Sequence, residues 1–325
     1  MRAWIVKELA GISALTQQDI PDPGIADGQL LVRVEAAAIN FSDLLMLKGA
    51  YQVRPPLPFV PGQEVAGSVV AAAPGTRFKV GDRVASKVTW GAFADLAVVH
   101  DDMAIGLPDE MDWAEAAAFP VVYPTAHIAL HDRGALRAGE TVLVHSAAGG
   151  VGLAALQLAK AAGARVIATA GGAAKLALCR ENGADVAIDY AGENWQDAVL
   201  GATEGRGADV IFDPVGGDIA DRSLKCLAWR GRLLIVGFAS GRIPQIPANR
   251  LLLRNASAVG VYWSHDKDAA LIEQVVADLV SLVRAGRLKL HVTHRYGFGD
   301  LPKALSDLAE RRTSGKLVLL RTLGR

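Results

Sequence analysis

Residues 141–152 read Thr141-Val142-Leu143-Val144-His145-Ser146-Ala147-Ala148-Gly149-Gly150-Val151-Gly152. The first four are β-branched or leucine and predict a short buried strand. The glycines predict a tight turn, and residues 151–162 a helix that Gly163 stops. Strand, turn and helix in that order is the context a dinucleotide-binding turn requires. Gly149 lets backbone approach a pyrophosphate, and Gly152 lets the helix pack on the strand. The helix start, with Gly150 and Val151, presents unpaired N–H groups and the positive end of its dipole. Ala147 stands where the strict G-x-G-x-x-G pattern has its first glycine, so the match fails at one position. An ordinary βα turn is the alternative for a bare glycine cluster.

The sequence downstream favours the cofactor reading. Strands are predicted at 165–169, 186–188, 209–212, 232–236 and 256–262, with helices at 173–182, 194–200 and 219–227 between them. Strands alternating with helices give a doubly wound parallel sheet. A carboxylate at the end of its second strand would accept a bond from a ribose 2′-hydroxyl and repel a 2′-phosphate. Here that segment runs Ala168-Thr169-Ala170-Gly171-Gly172-Ala173-Ala174-Lys175, and no acid follows before Glu181. Thr169, Gly171 and Lys175, with the Tyr190 hydroxyl beyond the third strand, are therefore candidate contacts to NADP(H). Taken alone, Lys175 reads better as a solvated helix residue, and it is the missing acid that shifts the reading to NADP(H).

Upstream of residue 120 the pattern is different. Residues 4–6, 30–35, 65–73, 80–84 and 91–99 read as short strands and turns. The run 54–62 holds four prolines, which remove amide donors and keep the chain extended. This part reads as a mainly-β module with a curled sheet. Farther on, a helical period over 268–284, a shorter helix at 301–311 and a strand at 316–320 close the chain.

With 325 residues, two domains are expected. Hydrophobic types make up 51% and charged types 21%, a globular composition. Thirty-four Lys and Arg balance 34 Asp and Glu, which argues against nucleic acid as the main partner. No apolar run reaches the roughly 18 residues a membrane span needs, and no signal peptide is visible, so a cytoplasmic protein is expected. Cys179 and Cys226 cannot form a disulfide framework or a four-cysteine zinc lobe, and both read as packing residues. The seven histidines show no His-Glu-x-x-His spacing, and no Gly-x-Ser-x-Gly or Walker sequence occurs.

Five motifs, in order, carry a family resemblance. They are Asn40-Phe-Ser-Asp43, Lys48-Gly-Ala-Tyr51, Pro58-Phe-Val-Pro-Gly-Gln-Glu-Val-Ala-Gly67, Val80-Gly-Asp-Arg-Val84 and Ala147-Ala-Gly-Gly-Val-Gly152. Together they resemble the medium-chain dehydrogenase/reductase superfamily, in its zinc-free quinone oxidoreductase (zeta-crystallin-like) branch. The resemblance covers nearly the whole chain. It implies an α/β architecture: a GroES-like, mainly-β catalytic domain from residues 1–121 and 265–325, plus a Rossmann domain with a doubly wound parallel sheet over 122–264. It also implies a homodimer that pairs the strand near residues 256–262 across a two-fold axis.

Zinc alcohol dehydrogenases place a cysteine ligand where this chain has Asn40, and a histidine where it has Gln63. Amides are poor zinc ligands, so no metal is expected. What remains is hydride transfer from NADPH to a quinone, whose product charge delocalises onto oxygen. The alternative acceptor is an activated alkene: an enone, an alkenal or an enoyl-thioester of the acrylyl-CoA type. Lys48 and Arg54 are the only cations near residues 40–60, while Arg242, Arg250 and Arg254 leave room for a CoA phosphate. A third reading is a cofactor-binding structural or RNA-binding protein of the zeta-crystallin kind.

By resemblance, Asn40 lies near the nicotinamide ribose and Thr125 near the nicotinamide, with Phe238 and Ser240 beside it. Tyr51 matches the tyrosine that donates a proton in related enoyl-thioester reductases, and cleft lining is its equal alternative. Lys316 is a further candidate cofactor contact, set against a surface lysine. Asp43 and Glu64 are expected to hold the site through hydrogen bonds.

Overall fold

The computed structural model describes residues 1–192 and 194–322. The chain forms two compact units, Met1–Val121 with Leu290–Arg325, and Val122–Lys289.

The first unit begins with a β-ribbon, β1 (Arg2–Val6) against β2 (Leu15–Asp19). Then come β3 (Gln29–Ile39), helix α1 (Phe41–Leu47), β4 (Glu64–Ala72), β5 (Arg83–Lys87), β6 (Leu96–His100), β7 (Ile105–Gly106) and helix α2 (Trp113–Ala117). The start of α1 is fixed by Asp43, at its third position, which accepts the Asn40 N–H at 2.7 Å. The proline run at 54–62 forms no helix or strand.

The second unit starts with α3 (Val122–His127) and one π-helical stretch at Ile128–Arg133. It continues through β8 (Thr141–Val144), α4 (Gly150–Ala161), β9 (Arg165–Ala170), α5 (Ala173–Glu181), β10 (Val186–Asp189), α6 (Trp195–Ala202), β11 (Ala208–Asp213), α7 (Gly217–Ser223), β12 (Leu227–Ile235), α8 (Ala248–Leu252), β13 (Ser257–Gly260) and α9 (His265–Arg284). Its six strands stand in the order β10-β9-β8-β11-β12-β13, all parallel. Because β8 is flanked on both faces, all four of its residues are buried. Leu143, Ile167, Trp195, Ile211 and Leu233 meet in one apolar cluster. The strand order reverses between β8 and β11, which makes their carboxyl ends the place where such sheets bind ligands.

The chain then returns to the first unit with β14 (Val292–Gly297), α10 (Leu301–Ala309) and β15 (Lys316–Leu320). β15 pairs antiparallel with β3, completing a seven-stranded sheet in the order β14-β15-β3-β4-β5-β7, with β6 also on β3. Leu305 and Leu317 join Val34, Leu44, Phe59 and Val65 in its core.

Residues 265–289 differ from the sequence expectation, which placed them with the GroES-like domain. They pack in the second unit instead. Ile272, Val275 and Leu279 bury the inner face of α9. The strap after it is pinned by hydrogen bonds: Lys289 N–H donates to Gln157 Oε1 at 2.8 Å, and Tyr123 Oη donates to Lys289 C=O at 3.0 Å. The last three residues of that expected domain, 323–325, lie outside the described residues.

Candidate functional site

The glycine-rich turn leaves the carboxyl end of β8 and enters α4. Gly149 caps this helix in extended conformation, and no side chain caps it. A Cβ on Gly152 would come within 2.7 Å of Ala147 Cα and closer still to Ser146 C=O. Only glycine permits this approach of helix to turn, which is the cradle a pyrophosphate needs.

Beneath the turn lies a buried triad. His145 Nδ1 stands 2.8 Å from Thr169 Oγ1, and its Nε2 stands 2.8 Å from Ser223 Oγ. The Ser223 hydroxyl donates its proton to Ile219 C=O at 2.7 Å. It therefore accepts from His145 Nε2–H, and Thr169 donates to Nδ1. Burial holds the imidazole neutral, with its pKa pushed down to about 3. Thr169 C=O also accepts the Ala147 N–H at 3.0 Å, so the triad braces the turn.

At the end of β9, a Cβ on Gly171 would meet the Tyr190 hydroxyl at 3.0 Å. Lys175 is the third residue of α5. Asp189, the last residue of β10, reaches this turn, and sequence reasoning overlooked it. Its oxygens accept the N–H groups of Gly172 at 3.2 Å and Ala191 at 2.9 Å.

At the end of β11, Asp213 Oδ1 accepts from Val215 N–H at 2.8 Å and Gly216 N–H at 3.0 Å. Burial pushes this carboxyl up to about 6. The loop bearing Phe238 and Ser240 folds over the same turn: Ser240 N–H donates to Val215 C=O at 2.9 Å, and Gly217 N–H to Arg242 C=O at 3.0 Å. Thr125, on α3, accepts the Trp263 indole N–H at 3.0 Å.

The first unit holds a second cluster. Lys316 is 4% exposed, and its Nζ donates to Glu64 Oε2 at 2.5 Å, Asn40 Oδ1 at 2.8 Å and Ile39 C=O at 3.2 Å. Asn40 Nδ2 donates to the same Glu64 Oε2 at 2.8 Å, and Val121 N–H to Glu64 Oε1 at 2.6 Å. Ser42 Oγ donates to Gln63 Oε1. Asp43 is fully buried, and its Oδ1 has no hydrogen-bond partner among the described residues. Burial raises the Asp43 carboxyl to about 7; the Asn40 N–H and Lys316 oppose that rise, and Glu64 adds to it. Tyr51 is half-buried and packs against the core of this unit.

Two family models match, the alcohol dehydrogenase GroES-like domain over residues 26–109 and the zinc-binding dehydrogenase over 150–281. A quinone oxidoreductase-like protein 2 homolog from Nematostella vectensis is 39% identical over 324 residues, covering 98% of this chain and 88% of its own length. The chain belongs to the medium-chain dehydrogenase/reductase superfamily, in its quinone oxidoreductase branch. Among solved structures of the superfamily, a mycobacterial protein complexed with NADPH superposes with a TM-score of 0.93 at 35% identity, covering 98% of this chain and all of its own. Escherichia coli quinone oxidoreductase complexed with NADPH gives 0.90 at 29% identity, with 98% and 100% covered.

Membership in this superfamily raises the question of zinc, and the residues at its ligand positions do not fit that ion. Zinc takes thiolate, imidazole or carboxylate donors. Asn40 and Gln63 offer amides, and the Glu64 carboxylate is already engaged by an ammonium and two N–H groups. Among the described residues, no group of three or more His, Cys, Asp or Glu is arranged to hold a metal. His127 and His131 face each other at 4.6 Å between ring centroids. Burial pushes both imidazoles down, His127 to about 4.

Two residues expected at the cofactor have partners within the protein. Lys316 commits all three ammonium protons inside the first unit. The Thr169 hydroxyl donates its proton to His145 Nδ1, 2.8 Å away. Both cysteines are buried, and burial pushes their thiols up to about 11 for Cys179 and 12 for Cys226, away from the thiolate form. No helix among the described residues is long and apolar enough to cross a membrane.

Proposed function

We propose that this chain is an NADPH-dependent reductase of quinones that uses no metal. The observation that carries the reading is the engagement of Asn40 and Glu64 by the Lys316 ammonium. It removes Lewis-acid activation of an alcohol or carbonyl and leaves acceptors that take a hydride unaided. The NADPH complexes of relatives with TM-scores of 0.93 and 0.90 support the cofactor.

NADPH, when bound, supplies the hydride. Gly149, Gly150, Val151 and Gly152 hold its pyrophosphate through helix amides. Gly171, Lys175 and Tyr190 take the 2′-phosphate, with Lys175 as a point charge and Tyr190 as a hydroxyl donor. Thr125, Phe238 and Ser240 orient the nicotinamide and exclude water. Asn40 supplies an amide to the adjoining ribose. Tyr51 lines the acceptor pocket. The chain contributes orientation and exclusion of water, because the charge formed on a quinone spreads over its oxygens.

A C=C reductase acting on a CoA thioester is the second reading. Two of the cations it would draw on are committed locally. Arg254 donates to Leu227 C=O and Lys225 C=O, and Arg242 pairs with Asp218 and Asp221 at 2.5 and 2.6 Å. A homodimer formed through β13 belongs to the same proposal. This strand is the edge of its sheet, and Trp229, Leu252 and Tyr262 are exposed apolar side chains in the same unit.

The test is NADPH oxidation against a panel of benzoquinone, phenanthrenequinone, hexenal and crotonyl-CoA. Turnover confined to the quinones is expected. Turnover on the alkenes alone would transfer the assignment to the second reading. Tight NADPH binding with no turnover on any acceptor would favour a structural role.

A further inference from the structure

The cluster around Lys316 does more than neutralise a buried carboxylate. An asparagine amide is nearly symmetric in shape, and only its partners decide which end is oxygen. Here the partners leave no choice. An ammonium can only donate, so the atom 2.8 Å from Lys316 Nζ is Oδ1. A carboxylate oxygen can only accept, so the atom 2.8 Å from Glu64 Oε2 is Nδ2. Glu64 is locked in turn by the Val121 N–H on its other oxygen. Flipping the amide would set an NH₂ group against an ammonium and a carbonyl against a carboxylate, in a site sheltered from water. One N–H of Asn40 remains, and its direction is fixed.

We infer that Lys316 is a positioning residue: with Glu64 it locks the Asn40 amide in one sense, so that a single N–H is presented to an acceptor oxygen of the bound cofactor. This rests on the reading of Asn40 as a cofactor contact. It assigns Lys316 a role by way of Asn40, in place of the direct cofactor contact expected from sequence. It also explains why a lysine opens a strand whose other residues, Leu317 to Leu320, are all apolar. A stray charge there would cost stability, and this one is fully hydrogen-bonded.

Two variants test the inference. Lys316→Met alone leaves the Glu64 carboxylate unpaired and can unfold the chain. The double variant Lys316→Met/Glu64→Gln removes both charges together, the change that buried ion pairs tolerate. It leaves a glutamine amide that accepts either sense of Asn40. The double variant is expected to melt within a few degrees of the wild type. It should bind NADPH about tenfold more weakly by protein fluorescence, and lose about tenfold in kcat with the KM for the quinone unchanged. In the cofactor-free protein labelled with ¹⁵N-asparagine, Asn40 should give one side-chain N–H protected from exchange, lost in the double variant.

A double variant that binds NADPH and turns over as the wild type does would overturn the inference, as would an Asn40 amide unprotected in the wild type. Failure of the wild type to bind NADPH would instead refute the functional reading. The exchange measurement on the cofactor-free protein would still report the amide lock.

Discussion

The Tyr190 hydroxyl stands over Gly171, 3.0 Å from the point a Cβ on that glycine would occupy. The two residues follow neighbouring strands, and Tyr190 N–H donates to Ala170 C=O at 3.3 Å. This closes one side of the turn that leads to Lys175. Lys175→Ala should weaken NADPH binding about tenfold and leave NADH binding within about twofold, since NADH lacks the 2′-phosphate. Equilibrium fluorescence titration with both cofactors measures it. Equal losses for the two would show that Lys175 acts on the fold and not on the phosphate.

The His145 triad predicts a stability effect. His145→Leu would leave Thr169 Oγ1 and Ser223 Oγ without their imidazole partner. Losing partners in a buried network costs about 1–3 kcal/mol per unsatisfied group. The melting temperature should fall by several degrees, and NADPH affinity should fall with it, because Thr169 C=O holds the Ala147 N–H of the glycine-rich turn. Calorimetry with and without NADPH separates the two effects.

Asp43 predicts a pH dependence. Its carboxyl is raised by burial from 3.8 to about 7, so between those values the native state keeps a proton that the unfolded state releases. Stability therefore falls as pH rises through this window. The contribution is complete below 3.8 and lost above about 7. Other groups titrate in the same range, so the comparison is with Asp43→Asn. Relative to that variant, the wild-type melting temperature should decline from acid to neutral pH and then level off.

Tyr51→Phe tests the choice of acceptor. A positioned proton donor is worth about 10²–10⁴ in rate where the reaction needs one. Quinone reduction spreads its charge over oxygen, so kcat with benzoquinone should stay within about threefold of the wild type. A hundredfold loss would make Tyr51 the donor and favour the enoyl-thioester reading.

The doubly wound sheet was legible because its signals are local. The glycine turn after 141–144 and the helix-stopping Gly163 each act within a few residues, and the strand order then follows from connection rules. The Lys316 cluster was not legible in the same way. It joins Asn40 to a residue 276 positions away, and Glu64 to one 252 away. What the sequence offers is one lysine opening an apolar strand, together with a Gln-Glu pair where zinc enzymes have a histidine. The contact of Thr169 with His145 was not legible for a related reason. Side chains alternate faces along a strand, and the last turns of β9 do not reveal which face meets His145. Helix α9 shows a clear period, but periodicity says only that a face is buried, not against which unit.

The most direct test of the central claim is the steady-state rate with phenanthrenequinone at matched concentrations of NADPH and NADH. Turnover is expected, with kcat/KM for NADPH exceeding that for NADH by at least about tenfold. An enzyme that prefers NADH, or that leaves the quinone untouched while reducing crotonyl-CoA, would contradict it.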